Sequence, residues 1–426
     1  MGRELRDGVR APRLGRDPGL RQRARAWRGR RSDEPPRPAH RRRPRADRPA
    51  ALPGSLRVRR EPVGAHTVEG ALDPIPGSAV ARALEALRGL GPAAAALALL
   101  AAVALVALTQ GAASIPPQTV LRTLLDALPV VEVEASAPAT WERIVVDIRL
   151  PRVIAAGIVG SALAYSGASY QGVFRNPLAG PFLLGVASGA ALGAAIAIIS
   201  PLRVDAYGFG WVPVFAFAGA LVTVVLVYLL ATGSGRLDNV TLILAGVALS
   251  AVFGAATAFI LLTGGEQARP IFSFLFGGFN TASWERVAWA APYLAVGAVG
   301  VAVYARTLNV LQLDEEQAAH LGVDVTRTKL IVLAAASLMA ATAVAIAGVI
   351  GFVGLLVPHA VRLVFGTDYR RLLLLSALFG ASFLIAVDTF ARTLLAPQEL
   401  PVGVVTALIG GPFFLWLLRS RKAEVL

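Results

Sequence analysis

The residues in this chain that could do chemistry are few, and their spacing withholds most reactions. No G-x-x-x-x-G-K-[ST] phosphate loop occurs. The lysines are Lys329, which follows Arg327-Thr328, and Lys422, in an Arg-Ser-Arg-Lys tail. Neither has the glycine-rich turn that cradles a phosphate. His320 and His359 are far apart and unaccompanied, so they read as loop or helix-end residues rather than metal ligands. Cysteine is absent, which excludes disulfides, thiolate metal sites and thiol catalysis. Asp388 and Arg392 stand four apart in an apolar segment, and read as a local ion pair at a helix end rather than a proton path. A membrane-embedded enzyme would need clustered acids, bases or nucleophiles, and none is found. No catalytic residue, no cofactor and no metal site is expected.

One polar segment stands out for its local order: Leu311-Gln312-Leu313-Asp314-Glu315-Glu316-Gln317-Ala318-Ala319-His320-Leu321-Gly322-Val323-Asp324. Asp314 is placed to cap a short helix, with Glu315 and Glu316 in its first turn, where negative charge suits the helix dipole. Ala318, Ala319 and Leu321 give it an apolar side, and Gly322 stops it. A capped helix on such a loop can transmit force from a soluble partner, or be an ordinary surface helix. Composition leaves both open.

The elements that must hold these residues are apolar. From about Pro92 to Trp416 the chain runs in apolar blocks of roughly 18–24 residues, the length that crosses about 30 Å of hydrocarbon as a helix. Backbone polar groups find no water there, so the blocks must be helices. The 426 residues are 55% hydrophobic and the mean hydropathy is +0.62, which marks an all-α polytopic membrane protein. Ten spans are predicted: 92–110, 151–173, 179–200, 211–232, 240–263, 286–305, 329–350, 353–366, 372–393 and 402–419. The eighth is short enough to be broken or tilted. An amphipathic segment at Pro116–Leu128 and a short surface helix at Pro270–Gly278 are predicted between spans. Gly185, Gly189 and Gly193 form GxxxGxxxG, which reads first as bundle packing and second as a pore or dimer seam. Arginine and lysine number eleven on one set of loops and eight on the other, a mild bias that puts both termini inside.

The net charge of +14 is concentrated at one end. Residues 1–90 hold 22 Arg and ten acidic residues, or +12 of it. The membrane part is nearly neutral, so the chain is not read as a nucleic-acid binder. Residues 1–85, rich in Arg and Pro, read as a disordered extension before a permease domain at 86–422. Three readings of the extension compete: an over-extended start, an inert solvated tail, and a basic arm for anionic membrane lipid or nucleic acid. With methionine only at 1 and 339, a start near Val68 or Val80 would need a non-AUG codon. The intact mass of the purified protein decides.

Several motifs, in order, resemble the FecCD family of permeases from ATP-driven importers of iron-siderophores, haem and vitamin B12. They are Arg149-Leu150-Pro151-Arg152; Gly167-Ala168-Ser169-Tyr170-Gln171-Gly172 with Arg175-Asn176-Pro177-Leu178-Ala179; Leu184-Gly185-Val186-Ala187-Ser188-Gly189-Ala190; Gly351-Phe352-Val353-Gly354-Leu355-Leu356-Val357-Pro358-His359; and Glu399-Leu400-Pro401-Val402-Gly403-Val404-Val405-Thr406 with Gly410-Gly411-Pro412. The resemblance runs from about 85 to 422; the extension has no counterpart. It implies ten helices per subunit and a dimer, either of two copies or with a paralogue. Two ATP-binding subunits on the inner face and an extracytoplasmic substrate-binding protein would complete the assembly. It implies an ATPase-coupling role for Glu315, Glu316, Ala319, Leu321 and Gly322. It implies that Arg149, Arg152 and Arg392 receive carboxylates of the binding protein, a task that suits the planar guanidinium fork. Anchoring of helix ends is the competing reading of those arginines. It also implies that the fifth span, Val240–Thr263, lines the path, with Asp238 and Asn239 at a narrowing on the cytoplasmic side. A secondary transporter driven by an ion gradient is the rival from another class, and it would need a charged site near mid-membrane.

Overall fold

The computed structural model describes residues 91–111, 115–126, 138–201, 210–232 and 238–423. The extension predicted at 1–85 lies outside them. Among the described residues the regular structure is helical throughout. In chain order the helices are α1 (Pro92–Thr109), α2 (Pro117–Asp126), α3 (Ala139–Arg143), α4 (Leu150–Phe174), α5 (Val186–Ile199), α6 (Trp211–Ala231), α7 (Asn239–Thr263) and α8 (Ala268–Phe276). There follow α9 (Trp284–Val303), α10 (Ala305–Leu311), α11 (Glu315–His320), α12 (Val325–Ala347), α13 (Val353–Phe365), α14 (Tyr369–Thr393) and α15 (Val402–Ala423).

Each of the ten predicted spans falls on one of these helices. Six of them, α1, α6, α7, α9, α12 and α14, are long and apolar enough to cross a membrane, and α5, α13 and the first part of α15 are shorter apolar helices. The remaining span is α4, 25 residues long and buried along most of its length. It packs against α12, α13 and α14 and forms the axis of the bundle. Small residues make that possible. A Cβ on Gly160 would meet the Gly380 carbonyl oxygen of α14 at 2.2 Å, so the two backbones touch where side chains would hold them apart.

One predicted span is interrupted, and a second break in the helices lies at the junction of two predicted spans. The segment predicted as one helix over 179–200 is a 3-10 turn, Pro181–Leu184, then Gly185 at φ 75°, and only then α5. Gly185 therefore does not share a helix face with Gly189 and Gly193. Those two meet α6 of the same chain, at Thr223 and Phe215, which is bundle packing. The second interruption precedes α13. There Phe352 takes a left-handed conformation, φ 65°, which is costly for a bulky residue and has to be held by its surroundings. His359, expected at a loop or a helix end, is buried in the middle of α13, edge-on to Phe413.

Candidate functional site

The charged residues of α4 and its flanks lie at its two ends, Arg149 and Arg152 at the start and Arg175 just past the finish, and each end organises a different cluster. At its start, a π turn (Ile144–Arg149) leads out of α3. The buried guanidinium of Arg149 donates to the carbonyls of Leu108 (2.7 Å) and Thr109 (3.2 Å), the last turn of α1. Arg392, near the end of α14, donates to the Ala107 carbonyl one residue earlier. A helix C-terminus leaves its last carbonyls unpaired and partially negative, so two buried cations complete α1.

Arg152 lies one turn further along α4. Its Nε and Nη2 donate to the Asp388 carboxylate at 2.8–3.2 Å, and Nη1 and Nη2 donate to Glu399 at 3.1 and 3.0 Å. Asp388 is nearly inaccessible. The expected i,i+4 partner Arg392 is also present, but at 3.8 Å, so the nearer cation of Asp388 comes from another helix. All three arginines named from the sequence thus meet at one end of the bundle, and each guanidinium already has an intramolecular partner. Beside them a cavity of about 470 Å³ is lined by Arg286, Asn280, Glu399 and residues of α8 and the end of α12.

The opposite end is built from aspartates. Asp238, Asp314, Asp324 and Asp368 each accept a backbone N–H at the start of α7, α11, α12 and α14. The capping amide and the hydroxyl of Thr241 hold the Asp238 carboxyl below its ordinary value. Arg175 and the Glu315 amide do the same for Asp314, and Asn309 and the Arg370 amide for Asp368. The capped helix expected at Asp314 is present as α11, and Gly322 ends it at φ 84°. Ala318 points inward while Glu316, Ala319, Leu321 and Gly322 are exposed, Leu321 at 66%. The apolar side expected of this helix is therefore divided, with half of it open.

Two residues that sequence reasoning did not single out hold this end together. Arg175, at φ 48° just beyond α4, pairs with Asp314 at 2.8 Å and approaches Glu315 at 3.8 Å. Lys329, on the second turn of α12, has a side chain only 2% exposed and donates to Glu315 at 2.6 Å and to Asn239 at 3.0 Å. Asn239 is the first residue of α7. The only available clue was a lysine at a helix start in a chain whose cations are nearly all arginine.

Between the ends, a cavity of about 310 Å³ lies where the two interrupted segments meet α7, with Pro181, Leu183, Val247, Ser250, Phe352 and Gly354 in its wall. α7 is enclosed along little of its length, and Leu244, Val252, Phe259 and Leu262 project from it exposed.

Comparison with known proteins agrees with this arrangement. A family model described as the FecCD transport family matches residues 99–420. The chain is 50% identical over 289 residues to the cobalamin import system permease protein BtuC of Halobacterium salinarum, covering 68% of this chain and 77% of that one. It is 42% identical over 294 residues to the hemin transport system permease protein HmuU of Yersinia pestis, covering 67% and 86%. A solved structure is similar with a TM-score of 0.66 at 31% identity, covering 79% of this chain and 99% of its own. It is described as an inward-facing conformation of an ABC transporter provisionally assigned to the metal-chelate type.

Proposed function

The chain belongs to the FecCD transport family, and from that membership we infer that it is the transmembrane permease subunit of an ATP-driven importer. It carries a metal chelate, of the iron-siderophore, haem or vitamin B12 type, across the cytoplasmic membrane by alternating access. The observation that carries this reading is α11: a short capped helix, outward-facing at Glu316, Ala319, Leu321 and Gly322, at the end where α7 begins. That is a seat for a soluble partner on a bundle that has no phosphate loop of its own.

ATP hydrolysis then belongs to two separate subunits seated on α11 of each copy in a permease dimer, with both termini of this chain on their side of the membrane. Asp238 and Asn239 form the narrowing of the path on that side, and α7 of both copies lines it. The arginine end faces the binding protein. There Arg149, Arg152 and Arg392 outnumber the two carboxylates facing them by one positive charge. This excess supports docking of an acidic lobe, with the guanidiniums shared between the partner and their internal acceptors.

The test is uptake of a labelled chelate into proteoliposomes holding this chain with its ATPase and binding-protein partners. Uptake is expected to need ATP and both partners, and to survive an uncoupler. Uptake by this chain alone, or uptake abolished by the uncoupler with ATP present, sinks the reading in favour of a gradient-driven carrier.

A further inference from the structure

Lys329 sits where the two mobile parts of such a transporter have to communicate. Its ammonium lies between Glu315 of α11 and Asn239 of α7, at 2.6 and 3.0 Å, and its side chain is shielded from solvent. Glu315 and Asn239 are the first residues of their helices. An ammonium has three donors and no acceptor, so both neighbours must present oxygen to it. Pulling the carboxylate away would strand a buried cation, which is far costlier than moving the group as a unit. Water, which loosens exposed ion pairs, is kept from the lysine by burial. Asp314 is anchored by Arg175 at 2.8 Å, and Arg175 also comes within 3.8 Å of the Glu315 oxygen that Lys329 holds, so two cations grip the short helix at its N-terminus. Its exposed face is left for the partner.

We propose that Lys329 is the positioning residue that ties the coupling helix α11 to the start of the path-lining helix α7, so that a displacement of one displaces the other. The proposal rests on the reading of α11 as the seat of the ATPase. It adds a named link between that seat and the narrowing at Asp238 and Asn239. Lys329 touches neither nucleotide nor cargo; it acts through Glu315 and Asn239.

The experiment uses the whole transporter in nanodiscs, with the labels on one permease copy. Spin labels at Val240 and Gln317, both exposed, report the distance between the start of α7 and α11 without and with ATP. The unmodified protein is expected to show one narrow distance in both states. Lys329→Met keeps the stem and removes the ammonium. It should broaden that distance, make it nucleotide-dependent, and lower uptake by about 10–100-fold, the usual range of a coupling term between sites. ATPase co-purification and ATP hydrolysis should persist. A purely structural role would lower hydrolysis and uptake together and leave the distance narrow in the protein that assembles.

Uptake retained by Lys329→Met, or a distance that stays narrow while uptake falls, overturns the link. Should Lys329→Met not assemble, the exchange of Lys329→Glu with Glu315→Lys decides. It rebuilds the pair in reverse, and the Asn239 amide can turn its NH2 to the new carboxylate. Uptake recovered by the exchange supports the link; no uptake overturns it. Retention of the ATPase separates this failure from failure of the underlying reading, which shows instead as ATPase binding indifferent to changes on the exposed face of α11.

Discussion

At the end of the bundle where α4 begins, three arginines are turned inward onto the last carbonyls of α1 and the carboxylates of Asp388 and Glu399. At the end where α7, α11, α12 and α14 begin, four aspartates cap their own helices, and two of them also reach across to Arg175 and Asn309. The first arrangement uses charge to staple different helices together. The second uses charge to fix where each helix starts, with Arg175–Asp314, Asn309–Asp368 and the buried Lys329 as its links between elements. The difference is one of reach. A long guanidinium can span the gap between helices, whereas a short carboxylate at an N-cap is tied first to its own turn.

The sharpest way to break the comparison is to remove a carboxylate from the stapled end. Asp388→Ala leaves Arg152 with Glu399 alone and Arg392 with a carbonyl. It should destabilise the protein by about 3–5 kcal/mol, the usual cost of breaking a buried pair from one side, read as thermal unfolding in detergent. A loss below about 1 kcal/mol would put this cluster in the class of exposed ion pairs and remove the distinction drawn here.

Replacing a single staple should cost less. Arg149→Met frees the carbonyls of Leu108 and Thr109, and a loss of about 1.5–3 kcal/mol is expected for a hydrogen-bonded charged group. Proteolysis or hydrogen exchange should find α1 loosened before the rest. If α1 keeps its protection, Arg149 is no staple and its docking role stands alone.

At the capped end the effect should fall on association rather than on the fold. Glu316→Arg with Ala319→Arg, both on the exposed face of α11, should weaken ATPase co-purification by about 30-fold, equivalent to about 2 kcal/mol for an interface hot spot. The melting of the isolated permease should change little. Unaltered co-purification would remove α11 as the seat.

The smallest effect is with pH. Asp238, Asp314 and Asp368 have carboxyls lowered in the folded protein. Their contribution is therefore complete above the ordinary carboxylate value near 3.8 and is lost as pH falls through the lowered folded values. Protection of the α11 amides should hold from neutral pH down to that region and fall below it. Protection lost already near neutral pH would mean that some other group holds this end.

How much of this was readable in advance follows from what each feature depends on. The apolar blocks, the cap at Asp314 and the stop at Gly322 are local, and reading along the chain found all of them. The break at Gly185 was hidden because Gly185, Gly189 and Gly193 have the spacing of a continuous helix face. Only the positive φ at the first shows that the helix starts after it. The same holds for Asp388: the i,i+4 spacing pointed to Arg392, while the closer cation lies 236 residues away in Arg152. Arg149, Arg152 and Arg392 were named together by a family resemblance that says nothing of where their guanidiniums point.

Chain order therefore decided that this molecule is a helical membrane bundle and where most helices begin and end. Hydrophobicity and capping act over a few residues and are written in them. Tertiary structure decided which charges meet: three arginines on one carbonyl terminus and two acids, and one lysine between two helix starts. Those pairings depend on how helices cross, and in a chain with so few charges inside its spans a shift of one helical turn would hand each of them a different neighbour.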